Sequence, residues 1–210
     1  MFALVELGKI TQFPKGNKGI TIGDNQYPQS IYTLWTEAER NAIGIYTVEI
    51  DNTNRKDETF YINTDITYAF GSGKVTGSYG TATAKAIEDT TYTSQDNTDG
   101  LIPSGKSVGD VKTEGLKTKY KKQFNAQAAT LLANTDWYVI KAADVGSYSV
   151  PSNITTYRAA VRTKVNSMET SIDNCANIAA LITLLTYTNT GTEENPVITR
   201  PLGEFPDEVV

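Results

Sequence analysis

The chain contains no histidine. That absence removes the Ser-His-Asp and Cys-His mechanisms, most zinc sites, and the commonest acid–base catalyst near neutral pH. Cysteine is almost as scarce. Cys175 stands alone, so no disulfide can close within the chain, and a buried, reduced thiol in a reducing compartment is expected. No apolar run approaches the roughly 20 residues that a bilayer span needs. The longest, around Ile178–Leu185, is interrupted by Thr183. The stretch Met1–Ile10 has neither the basic start nor the apolar core of a secretory leader. No membrane contact is expected, and the expected setting is the cytoplasm.

Loops that hold phosphates or metals are also missing. Gly71-Ser72-Gly73-Lys74-Val75-Thr76 has the glycines and lysine of a phosphate loop, but not the four-residue spacing before the Gly-Lys pair. A strand rather than a helix should follow it. Asp96-Asn97-Thr98-Asp99-Gly100 resembles half of a calcium loop, yet lacks the preceding helix and the closing bidentate glutamate, and reads as a solvated turn. No catalytic residue, metal, cofactor or small-molecule substrate is therefore expected, and the chain reads as a binding protein rather than an enzyme.

Aromatic mass is what the chain does have: twelve tyrosines, six phenylalanines and two tryptophans among 210 residues, enough for a core although apolar residues are only 39%. Charge is unevenly placed. Residues 1–110 carry nine basic and fourteen acidic side chains, 111–190 nine basic and five acidic, and 191–210 Arg200 against five carboxylates. Such asymmetry steers encounters between proteins, or draws the acidic end back onto the basic helical half. Net acidity argues against nucleic acid as a partner.

Periodicity divides the chain in two. The front reads as short strands: a hairpin of Phe2–Glu6 and Lys9–Phe13 turning at Leu7-Gly8, an extended Ile20–Ile22, an irregular Gly23–Gln29, a strand through Ile45–Val48, and further strands at Phe60–Ile62, Ile66–Phe70 and Val75–Tyr79. Thr81–Ile87 is expected to continue the sheet. Thr36-Glu37-Ala38-Glu39 fits a capping box opening a short helix, with Gly44 as its left-handed end. Thr90–Gly109, rich in Asp, Asn, Gly and Ser, reads as a linker. Helical spacing follows: Leu116, Tyr120, Phe124, Ala128 and Leu131; then Trp137, Tyr138, Ile140 and Lys141, capped by Thr135 or Asp136. A long helix capped by Ser152 or Asn153 carries an apolar stripe of Ile154, Tyr157, Val161, Val165, Met168 and Ile172, with Arg158, Arg162 and Lys164 on other faces. A last helix holds Ile178, Leu181, Ile182 and Leu185. Lys117, Lys119, Lys121 and Lys122 crowd a helix start, where the dipole disfavours them. Solvation, an acidic partner or the acidic tail would account for them.

The expected fold is α+β. A small strand-rich domain, α+β or mostly β, occupies 1–89. A Thr/Gly-rich linker follows at 90–111, then a bundle of three or four helices at 112–187 and an extended acidic tail at 188–210.

One set of motifs is familiar. Leu132-Ala133-Asn134-Thr135-Asp136-Trp137-Tyr138-Val139-Ile140-Lys141 resembles the L-x-x-T-D-W-x-x-x-R/K motif of bacteriophage tail-fibre assembly proteins and tail assembly chaperones. Val150-Pro151, Tyr157-Arg158 and Val161-Arg162 resemble the continuation of that motif. Phe13-Pro14, Tyr27-Pro28, Gly44-Ile45-Tyr46-Thr47-Val48 and Phe60-Tyr61-Ile62 are similar to pieces of the same family's front half. Gly77–Ser107 is longer and richer in threonine than the family's connector. The resemblance implies a chaperone-like factor that binds a tail-fibre or other tail protein in the host cytoplasm during assembly, or a subunit retained in the virion tail, baseplate or fibre attachment region. It implies partner contacts at Trp137, Tyr138, Lys141, Tyr157, Arg158 and Arg162, and leaves self-association open.

Overall fold

The computed structural model describes residues 1–209, and the chain separates into two compact units, Met1–Ala84 and the residues from Lys85 onward. Each mixes strands and helices, with strands dominating the first and four helices the second.

The N-terminal unit begins with β1 (Phe2–Glu6) and β2 (Lys9–Gln12), turning through Leu7 and Gly8, both with positive φ. A second hairpin, β3 (Ile20–Ile22) and β4 (Asn25–Tyr27), occupies part of the stretch expected to be irregular. Its turn is Gly23-Asp24, and the polar Asn25-Gln26 hid the strand from a propensity reading. A one-turn helix α1 (Ile31–Leu34) leads to α2 (Glu37–Ala42). The α2 capping box is complete: Thr36 Oγ1 accepts from the Glu39 amide and Glu39 accepts from the Thr36 amide. Gly44 then takes φ +84° and brings the chain into β5 (Ile45–Asp51). A Cβ there would lie 2.6 Å from the Val5 carbonyl, so the close approach as well as the left-handed backbone calls for glycine.

After β6 (Tyr61–Ile62) come β7 (Ile66–Gly71), β8 (Lys74–Tyr79) and β9 (Thr83–Ala84). The main sheet runs β2-β1-β5-β8-β7, antiparallel except for the parallel pair β5–β8. Its ends approach each other, and the rings of Phe13 and Tyr68 meet at 4.7 Å, giving a nearly closed barrel. Thr81–Ile87 does not continue this sheet; its only pairing is the two-residue ladder of β9 with β6. Alternation along β1 separates the two faces. Ala3 and Val5 join Val48 and Val75 on one side, while Leu4 packs with Ile31, Tyr32 and Ile45 on the other, where α1 and the β3–β4 hairpin cover it.

The C-terminal unit starts earlier than composition implies. Ala86 and Ile87 carbonyls accept the Leu116 and Lys117 amides, and Asp89 Oδ1 accepts from the Gly115 amide at 2.7 Å. These three residues therefore serve the start of α4 (Leu116–Ala133), whose Gly115 N-cap has no side chain to do so. The boundary accordingly falls at Ala84/Lys85 rather than after residue 89.

The expected linker, 90–111, is locally folded. β10 (Thr90–Thr91) pairs with β11 (Val111–Thr113), and α3 (Ser94–Thr98) between them has its own capping box from Thr93 and Asp96. Asp96 is not in a solvated turn. It is buried and paired with Lys112.

α4 packs along α6 (Ser152–Asp173), with α5 (Asp136–Asp144) between them in sequence and α7 (Ile178–Leu185) after them. The apolar stripe of α6 is buried at Ile154, Tyr157, Val161, Val165, Met168 and Ile172. Helix α7 is capped by Asn177, which accepts from the Ala180 amide. The α6 cap is Pro151 rather than Ser152 or Asn153, and it makes no side-chain cap bond. Proline suits this entrance because the missing N–H would find no partner there. Three of the four clustered lysines of α4 meet nearby carboxylates: Lys117 with Glu88, Lys121 with Asp173 at 2.7 Å, and Lys122 with Glu114. Neither an outside partner nor the tail is needed to explain these three. The final segment is not simply extended. β12 (Thr188–Asn189) pairs with β13 (Ile198–Thr199), and the chain then folds back so that Leu202 is 3% exposed, its amide donating to the Leu184 carbonyl. Among the described residues no helix is long and apolar enough to cross a membrane.

Candidate functional site

The junction of α4 and α5 gathers most of the residues singled out from sequence. Asn134 and Thr135 end α4 and begin α5, and Thr135 is buried. Its hydroxyl does not cap α5. It donates to the Leu132 carbonyl at 2.9 Å and accepts from Arg158 Nη1 at 2.7 Å. The same Nη1 reaches the Leu132 carbonyl and Asp136 Oδ1, both at 2.8 Å. Arg158 is 8% exposed, so it is an interior clamp and not one of the wet-face cations expected on α6. A guanidinium suits the task because it can satisfy several fixed oxygens at once. The Thr-Asp of one motif and the Tyr-Arg of the other are thus halves of a single contact, 23 residues apart in the chain.

Tyr157 is also interior, at 4% exposure, with a hydroxyl that has no hydrogen-bond partner; burial, then nearby Glu208, holds its pKa above the ordinary tyrosine value. Arg162 is exposed, and its guanidinium lies 3.5 Å from the Arg158 carbonyl. Of the six residues that the resemblance implies as partner contacts, Tyr157 and Arg158 belong to the folded interior, and Arg162 is exposed on α6.

The other three form a surface cluster. No residue of α5 is buried. Trp137 is 52% exposed and Ile140, one turn further on, 67%. The Trp137 ring meets Tyr138 at 4.5 Å and stacks near Tyr148 at 6.5 Å. Tyr148 returns to α5 through the turn in which its amide donates to the Val145 carbonyl. Lys141 Nζ sits 4.4 Å from the Tyr148 ring and 5.1 Å from Trp137, a cation held over two aromatic faces. Val139 and Val145 are exposed nearby in sequence. Tyr148 and Ile140 were not read as contact residues. Helical spacing marks Trp137, Ile140 and Lys141 as neighbours, but nothing local shows that Tyr148 folds back.

No known family model, curated protein or solved structure matches this chain.

Among the described residues no group of three or more Cys, Asp or Glu side chains is placed to hold a metal ion. Cys175 is a buried free thiol whose pKa is raised by burial, with Sγ 3.5 Å from the Ser171 carbonyl. The α5 face is an exposed aromatic and aliphatic surface of the C-terminal unit. Aromatic rings supply contact area at low conformational cost, while the clamped junction below fixes their position.

Proposed function

We propose that this chain is a partner-binding assembly factor of a bacteriophage tail, of the tail-fibre assembly kind, and that it acts by docking a fibre or other tail protein on the α5 face. The observation that carries this reading is an aromatic and aliphatic helix face with no buried residue, mounted on a buried arginine clamp built from the same motifs that resemble that family. A helix needed only for packing would bury its apolar stripe; α5 leaves Trp137 and Ile140 exposed. Binding rather than turnover is the activity proposed, in the host cytoplasm during assembly.

Co-expression with a trimeric tail-fibre protein from the same source tests this. Correctly trimerised fibre should increase with the wild-type chain, and Trp137→Ala with Ile140→Ser should abolish the increase while leaving the helical circular dichroism unchanged. Equal fibre yield with and without the chain would sink the reading. Presence of the chain in purified particles, by mass spectrometry, would instead make it a retained tail subunit.

A further inference from the structure

Three lysines at the head of α4 close on the chain's own carboxylates, whereas Lys15 and Lys18, in the loop that joins β2 to β3, do not. Among the described residues neither forms an ion pair. Their loop is pinned in place. Pro14 is buried, and Gly16, with φ +74°, lies on the ring pair of Phe2 and Tyr32, where a Cβ would come within 3.2 Å of Phe2. The loop and its neighbours enclose a cavity of about 420 Å³. Its lining combines the apolar bodies of Phe13, Ile20 and Tyr32 with Lys15, Asn17 and Lys18, and contains no carboxylate. Among the described residues the amides of Lys15, Gly16, Asn17 and Lys18 donate to no protein oxygen. Tyr32 is 7% exposed, and its hydroxyl has no hydrogen-bond partner. Positive charge and spare donors thus meet at one cavity with nothing from the chain to balance them, which is the chemistry that takes an anion. Two ammonium groups match the charge of roughly −2 that a phosphate monoester carries near pH 7. The cavity is far larger than a bare phosphate ion, and it falls within the roughly 300–1,000 Å³ of small-ligand sites. Its apolar wall, with an aromatic ring at Phe13, suits a ligand body that carries a ring.

We propose that this cavity binds a small phosphate ester whose body carries a ring, with the phosphate held by Lys15 and Lys18 and the ring against Phe13 and Ile20. The site belongs to the N-terminal unit and shares no residue with α5, so it stands apart from the docking of a tail protein.

The probes are phenyl phosphate and adenosine monophosphate, two esters with bodies of different size, titrated into the isotope-labelled full-length chain and followed by amide resonances. At least one should shift the amides of residues 15–19 saturably, with Kd below about 1 mM. Phenol, adenosine and inorganic phosphate supply the halves separately, and each should bind at least about tenfold more weakly than the ester that contains it. Lys15→Gln with Lys18→Gln should weaken the ester by about tenfold or more. Lys15→Arg with Lys18→Arg should keep most of the affinity, because the charge remains. Both lysines are exposed, so resonances outside the loop should be unchanged in either variant, which separates a lost ligand contact from a lost fold. Three results would each overturn the site: no saturable shift at residues 15–19 with either ester, inorganic phosphate binding as tightly as the ester, or unchanged affinity in the double glutamine variant. None of them bears on fibre assembly, which the α5 variants read.

Discussion

At the scale of single residues, Arg158 sets the strongest expectation. Removing its side chain takes one donor from the Leu132 carbonyl, leaves the buried Thr135 hydroxyl oxygen without the guanidinium N–H it accepts, and Asp136 without its counter-charge. Arg158→Ala should lower unfolding free energy by about 3 kcal/mol, read by urea denaturation. Arg158→Lys should recover only part of it, since an ammonium lacks the planar fork. Asp96 gives a pH-dependent counterpart. Its carboxyl is held down at about 2, first by Lys112 and then by the Thr93 amide and hydroxyl. The folded state therefore favours the ionised form. That stabilisation is complete above the ordinary carboxyl value of 3.8 and drains away as pH falls toward about 2. In acid titration, Asp96→Asn should be flatter than wild type across that window. A parallel pair of curves would assign the acid sensitivity to other groups. Neither partner of these two residues was visible in sequence. Arg158 read as a solvated cation because helical spacing places it one step off the apolar stripe, and spacing is silent about oxygens that arrive from another helix.

At the scale of elements, legibility followed the range of the contacts. The α2 capping box, the Leu7-Gly8 turn, the Gly44 cap and the α6 stripe depend on residues within a turn of one another, and each was readable directly. Helix α2 is accordingly where substitutions should behave predictably. Thr36→Ala should cost about 1 kcal/mol through the lost cap. Gly44→Ala should cost at least about 1 kcal/mol from its left-handed backbone, and more because the new Cβ meets the Val5 carbonyl. Thermal melts of the two variants would check the order, with Gly44→Ala the lower. The elements that escaped reading have distant partners or too little apolar signal. β4 is polar, α1 is a single turn, and α3 lies within a segment whose composition is that of a linker. Of the residues that the resemblance implied as contacts, Trp137, Tyr138 and Lys141 cluster on α5, whereas Tyr157 and Arg158 are buried, and spacing alone did not separate the two groups.

At the scale of the whole chain, the division at Ala84/Lys85 has a measurable correlate. A fragment comprising 85–210 keeps the carbonyls of Ala86 and Ile87 and the carboxylate of Asp89 on the first amides of α4, whereas one comprising 90–210 loses all three. At roughly 1 kcal/mol for each hydrogen bond, the longer fragment should be more stable by about 3 kcal/mol in chemical denaturation. Equal midpoints would place the boundary after residue 89, where composition had put it. The tail illustrates the same point from the other end. Three prolines and five carboxylates made 188–210 read as extended, yet a short ladder, polar contacts at Leu202 and Glu204, and the buried Leu202 side chain seat it.

The donors and acceptors at the head of α4 also order events during synthesis. Residues 86–89 leave the ribosome well before Gly115, so the terminus of the helix meets waiting oxygen atoms as soon as it emerges. Its apolar stripe, by contrast, must wait for α6, more than thirty residues later. The nascent helix is thus held at one end while still bare along its side, and that interval is when a chaperone has most to shield.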